Sequence, residues 1–315
     1  MNSFQSTFSD RLSSYLKLRC GLGYHQDPFV FQAFDKYVHQ RGYTGPLTQE
    51  LALDFASENP NSSINYRASR YQFLRHFADY LATFDPLTPS LDPKALRRAK
   101  ARPHVHAYTD KELADILREA RIISLKNPIR GITLHAMIGL AACTGLRIGE
   151  VIQLDKTDLD LERERLIVRQ TKFGKDRYIP LHPTAIEVIR NYSAIRDMAF
   201  PGCKHVALFV SMRQRRFSPN TVQTAFCKLA RRLGFRAPKG RGASFHGLRH
   251  RFAATRLVSW YKAGLDVQAM LPALATYMGH AHYTDTAYYL KATAELLGMA
   301  AGLYHQPPIE EKDSL

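Results

Sequence analysis

The chain has 315 residues, enough for two domains that each bury a core. Its 44 Lys+Arg exceed its 28 Asp+Glu for a formal charge of +16, and the excess is uneven: 12 basic against 9 acidic residues in 1–100, then 32 against 19 in 101–315. So positive a chain calls for an acidic partner, and nucleic acid ranks ahead of a membrane because no long uncharged apolar run could span a bilayer.

The opening MNSFQSTFSDR has no apolar stretch of the kind that starts a secretory signal. Helices are predicted near 4–20, 27–41, 48–57 and 62–84, with breaks at Gly21–Gly23 and at Gly42 and Gly45. The last is the best patterned: Leu74, Phe77, Leu81 and Phe84 recur at helical spacing, with Arg75, His76 and Asp79 between them. Residues 1–85 therefore read as a helical bundle. Residues 86–107 hold four prolines and the cluster Lys94, Arg97, Arg98, Lys100 and Arg102. They read as an extended linker, either a solvated tether or a basic strap along a phosphate backbone.

A second domain is predicted from 108. Thr109 is a candidate N-cap with Glu112 at the capping-box position. The apolar run Ile132–Cys143 is too short for a span and contains His135. After it, Thr144-Gly145-Leu146-Arg147 predicts a helix stop at the glycine and an arginine on the next turn, with Glu150 placed to orient its guanidinium. The plainer alternative is a helix-start arginine paired with its i+3 carboxylate. Residues 165–181, RLIVRQTKFGKDRYIPL, predict two strands around a polar turn flanked by Lys172 and Lys175. A mobile ammonium there could protonate a leaving oxygen, although Lys175 reads better as an exposed hairpin lysine.

Beyond Pro183, Val188, Tyr192 and Ile195 return to helical spacing, and loops are expected at 200–219 and 234–244. Arg213, Arg215, Arg216, Arg231 and Arg232 read as backbone contacts or solvated surface. His246-Gly247-Leu248-Arg249-His250 puts His246, Arg249 and His250 on one helical face. That face suits phosphate. The neighbouring cation and the lack of carboxylates argue against metal, and Cys20, Cys143, Cys203 and Cys227 have no zinc-ligand spacing. Four reduced thiols and no leader point to a cytoplasmic protein. Gly279-His280 marks a helix boundary, and Tyr288 and Tyr289 follow. A phenol with a reference pKa of about 10 is a weak nucleophile until cations favour its phenolate. Adjacent helical residues diverge by about 100°, so only one of the two tyrosines could aim at a given phosphorus.

TGLRIGE, TKFGKDRYIPL, FHGLRHRFAAT, LPALATYMGH and AYYL, in that order, resemble the motif boxes of the tyrosine recombinases, the phage-type integrases. The resemblance covers about 108–300 through motifs and the first 85 residues through length and helicity. It implies a mainly α fold with a small β-sheet (α+β): a helical core-DNA-binding domain over 1–85, a basic linker over 86–107, a mixed catalytic domain over 108–305 and a flexible tail over 306–315. It further implies that Arg147 and Arg249 clamp the scissile phosphate, that His246 and His280 assist, and that Lys172 protonates the 5′ oxygen. Glu150 and His250 would support them. The family's nine-residue step from its last histidine selects Tyr289 over Tyr288 as nucleophile.

The implied activity is site-specific cutting and rejoining of double-stranded DNA through a 3′-phosphotyrosine, with no cofactor, metal or ATP. The alternatives are a type IB topoisomerase-like enzyme and a DNA-binding regulator that does not cleave. The segment after Tyr289, ATAELLGMAAGLY, reads as a short helix. In the family such a tail often docks on a neighbouring subunit, the plainer alternative being that it packs on its own domain, so the expected partner besides DNA is a second copy of the chain, assembled as a tetramer. With a single bundle ahead of the linker, recognition of core sites alone is expected.

Overall fold

The computed structural model describes residues 4–24, 28–97, 106, 108–123, 127–169, 176–236, 242–280 and 286, in two compact units, Met1–Pro103 and His104–Leu315. Among the described residues there are eleven α-helices and three short strands, the mainly helical fold with a small sheet that the sequence pattern predicts.

The first unit holds α1 (Ser9–Gly21), α2 (Pro28–Gln40), α3 (Gln49–Ser57) and α4 (Ile64–Leu81). Thr48 and Ser63 cap α3 and α4 by accepting from the N–H groups of Leu51 and Tyr66. Its core is aromatic. Phe31, Phe34, Phe55 and Phe77 are fully buried, and the Phe34 and Phe55 rings meet edge to face at 5.2 Å. The buried carboxylate of Asp35 anchors the chain entry by accepting from the N–H groups of Gln5 and Ser6, at 2.8 and 2.9 Å. Leu74, Phe77 and Leu81 face inward as their spacing predicts, but Phe84 does not. The helix has ended at Leu81, so the 3.6-residue period no longer governs Phe84, and its exposed ring lies under the guanidinium of Arg11 at 4.1 Å.

Part of the stretch read as a linker packs on this bundle. Leu91 is buried in the core, the Tyr71 hydroxyl donates to Asp92 O at 2.9 Å, and Asp92 N donates to Gln49 Oε1 at 3.0 Å. An apolar side chain and two satisfied backbone groups outweigh the extended tendency of the nearby prolines.

The second unit is built around α6 (Pro128–Thr144), whose Leu134, Met137, Ile138, Leu140 and Ala141 are buried. It packs against α5 (Asp110–Ile122), α8 (Pro183–Ala199) and α10 (Phe245–Lys262). The apolar run noted in the sequence is thus a core helix, and no helix among the described residues is long and apolar enough to cross a membrane. The Thr109–Glu112 capping box is present at the start of α5. A short helix α7 (Ile148–Gln153) leads through a 3₁₀ turn to an antiparallel sheet in the order β1 (Leu159–Asp160), β2 (Arg165–Val168), β3 (Arg177–Pro180). Leu166, opposite Ile179, and Val168 face the core.

Helix α8 forms where predicted but buries another face: Ile186, Ile189, Tyr192 and Arg196 point inward, while Val188 and Ile195 are partly exposed. Both stripes contain Tyr192, and the one continued by Ile186 and Ile189 is the wider apolar band. The unit is completed by α9 (Pro219–Arg232) and α11 (Val267–Met278). One of the arginines read as surface or backbone contacts is structural. Arg216 donates to Ile152 O at 2.7 Å and Leu154 O at 3.3 Å and pairs with Asp155, closing the C-terminus of α7, whereas Arg232 stays at the surface and pairs with Glu119 at 3.3 Å.

Candidate active site

Gly145 makes the first corner of the site. It ends α6 in the left-handed conformation, φ 66°, and a Cβ there would stand 2.5 Å from Phe252 Cδ1 of α10. The tight turn carries the chain straight into α7, with Arg147 at its N-cap. Glu150 holds this arginine twice, accepting from its N–H at 2.8 Å and from Nη1 at 2.9 Å. The structure therefore contains the i+3 pair of the plainer reading and brings that same arginine to the other boxes as well.

The second corner is the end of α11. Gly279 is left-handed at φ 64°, and its turn offers two carbonyl oxygens to the arginines. Arg147 Nη1 donates to Met278 O at 3.5 Å and its Nη2 to Gly279 O at 3.2 Å. Arg249, on the first turns of α10, donates from Nη1 to Gly145 O at 2.8 Å and from Nη2 to Met278 O at 2.7 Å. Its Nη2 also lies 2.7 Å from His280 Nε2. Arg249 is 1 % exposed, whereas the Arg147 side chain is 38 % exposed, so Arg147 is the more open of the pair.

His246 is exposed on the same face of α10, its ring edge-on to His250 at 4.8 Å, while Leu248 turns into the core. Partial desolvation by the surrounding protein lowers the pKa of both rings. For His246 the charges of Arg249 and Arg147 add to that effect; His250, beside His246, Arg249 and His280, is brought down to about 4. Both are neutral at pH 7. Glu150 goes the other way: burial raises its carboxyl, but the bond to Arg177 and the charges of Arg177 and Arg147 outweigh burial and hold it below its usual range.

Arg177 is the residue that sequence reasoning missed. On β3 it donates from Nη2 to Glu150 Oε2 at 2.9 Å, so one carboxylate bridges two guanidiniums. A Cβ on Gly279 would meet Arg177 Nη1 at 2.6 Å, which puts this arginine under the α11 turn as well. The available signal was strand alternation: Arg177 shares a face with the fully buried Ile179, an unusual place for a charge.

Six of the eight residues expected to act on a phosphate or its leaving groups, or to support them, thus gather at one place: Arg147, Glu150, Arg249, His250 and His280, with His246 beside them. Lys172, Lys175, Tyr288 and Tyr289 lie outside the described residues. The arrangement supplies guanidinium forks and neutral imidazoles to an anion, the equipment for stabilising charge on phosphate oxygens.

Comparison with known proteins agrees with this geometry. The phage integrase family matches residues 108–295. The protein y4rE of Sinorhizobium fredii, which carries an integrase/recombinase name, is 40% identical over 96% of this chain and 97% of its own. The tyrosine recombinase XerA of Thermococcus onnurineus is 28% identical over 87% of this chain and 89% of its own. In fold, the chain is similar to the XerH site-specific recombinase in its post-cleavage complex with palindromic difH substrate, with a TM-score of 0.63 and 19% identity over 88% of this chain and 78% of that one. The order of the boxes, the convergence of their arginines and this likeness along nearly the whole chain together make it a member of the phage integrase family, the tyrosine recombinases.

Proposed function

We propose that the chain is a site-specific DNA recombinase or integrase in which Tyr289 attacks a scissile phosphate held by Arg147 and Arg249. The convergence of these two arginines on the α11 turn, beside His280, carries the reading. Their planar forks bind the non-bridging oxygens and spread the charge that grows on them, while the imidazoles of His246 and His280 donate to the same oxygens. As the Tyr289 oxygen bonds to phosphorus, the bond to the 5′ oxygen breaks and Lys172 gives that oxygen a proton. The product is a 3′-phosphotyrosine and a free 5′-hydroxyl. Because the phosphodiester's energy is kept in the covalent link, a 5′-hydroxyl from another strand reverses the step without ATP.

In this reading the helical unit over 1–85 binds core DNA, 86–107 includes its basic strap, 108–305 is catalytic and 306–315 is a tail. The segment after Tyr289 docks on a second copy of the chain, giving a tetramer on DNA in the cytoplasm. Lambda integrase, which shares the fold, is seen as a dimer bound to a core site and as a tetramer bound to a Holliday junction, in keeping with such an assembly.

The test is covalent trapping on fragmented genomic DNA followed by sequencing of the adducts. Adducts at a defined sequence, and exchange of strands between two duplexes carrying it, are expected. Relaxation of supercoiled plasmid with no preferred site and no exchange would favour a topoisomerase instead.

A further inference from the structure

The roles assigned above leave one residue unused. Thr286 is fully buried, follows His280 by six residues and precedes Tyr289 by three. Its Oγ1 lies 2.6 Å from His280 Nδ1, while Arg249 Nη2 lies 2.7 Å from Nε2 of the same ring.

The donor inventory fixes the proton. A guanidinium can only donate, so Nε2 presents its lone pair to Arg249. The neutral ring therefore carries its hydrogen on Nδ1 and donates it to Thr286 Oγ1. In that tautomer Nε2 has nothing to give to a phosphate oxygen. The assistance proposed for His280 requires the other tautomer, with hydrogen on Nε2 and a lone pair on Nδ1. A carbonyl or carboxylate opposite Nδ1 could only accept, and would lock the ring as it stands. A hydroxyl accepts or donates by rotating about its Cβ–Oγ bond.

We propose that Thr286 is a positioning residue that lets His280 exchange tautomers when a DNA phosphate takes over Arg249. Water takes the proton from Nδ1 and another water proton is placed on Nε2, with no change of charge on the ring, as the Thr286 hydroxyl keeps its own hydrogen and turns from acceptor to donor. The same bond ties the segment that leads to Tyr289 to the ring that meets the phosphate. This inference rests on the recombinase reading of the site.

Two measurements on the full chain test it. Long-range ¹H–¹⁵N spectra of histidine-labelled protein should show His280 as the Nδ1–H tautomer when free, and as Nε2–H in the Tyr289→Phe protein bound to an uncut duplex of the trapped sequence. A free protein with hydrogen on Nε2, or no change on binding, overturns the switch. With a nicked duplex of that sequence, Thr286→Val should bind as the parent does but cleave about tenfold more slowly, the scale of one ordinary hydrogen bond, while Thr286→Ser stays close to the parent rate. Equal cleavage by the valine variant, or a serine variant as slow as the valine one, overturns the role of the hydroxyl. A parent protein that forms no adduct contradicts the recombinase reading instead, and the tautomer of the free ring is still read from the spectra.

Discussion

Arg147 and Arg249 donate to the same atom, the carbonyl oxygen of Met278, at 3.5 and 2.7 Å. Two like charges are held together by the last carbonyls of α11, where the partial negative charge of a helix end offsets their repulsion. These carbonyls occupy donors that an incoming phosphate would claim. Glu150 adds a full negative charge from the other side.

That carboxylate gives the first prediction. Arg177→Ala leaves a mostly buried Glu150 with one cation fewer, and loss of one partner of such a pair costs roughly 3–5 kcal/mol. Urea unfolding should report a loss of this size, and DNA cleavage should fall with it, since Glu150 also orients Arg147. Stability equal to the parent's would mean that the pair is not a strut of the site.

The α6 corner gives the second. Gly145→Ala places a methyl group in left-handed backbone and against Phe252, which should cost roughly 2–4 kcal/mol in the same assay. Phe252→Leu, made in addition, should recover part of the loss by clearing the ring. No recovery would assign the whole cost to the backbone.

Acid gives the third. The folded-state pKa of His250, about 4, lies below its ordinary value of 6.5, so between these values the unfolded chain binds more protons and stability falls as pH falls. The contribution is complete above 6.5 and lost as pH drops toward 4, and His246 acts in the same direction. The lowered pKa of Glu150 adds a further loss as the pH drops below its ordinary 4.5. Unfolding free energy should drop by on the order of 2 kcal/mol from pH 7.5 to 5, and His250→Gln should flatten the slope. An unchanged slope in that variant would place the titrating group elsewhere.

Much of this was legible in the sequence, because the local signals were strong. The Thr109–Glu112 box, the helix stop at Gly145, the β2–β3 hairpin and the face shared by His246 and His250 each follow from residues a few positions apart. What was not legible depends on tertiary partners. Arg177 gains its place from Glu150 on α7 and from Gly279 after α11, and Arg216 from carbonyls more than sixty residues away, whereas in the sequence both are basic residues in a basic chain. The inward face of α8 and the packing of Leu91 were decided by the surfaces they meet rather than by their own periodicity.

In the reading proposed above, this chain cuts DNA by attaching one tyrosine to it. Incubating the parent protein, Tyr289→Phe and Tyr288→Phe with a nicked duplex of the trapped sequence, and mapping the phosphopeptide of any adduct by mass spectrometry, tests it most directly. An adduct is expected on Tyr289 in the parent and in Tyr288→Phe, and none in Tyr289→Phe. An adduct that survives Tyr289→Phe, or one that vanishes in Tyr288→Phe alone, would contradict it.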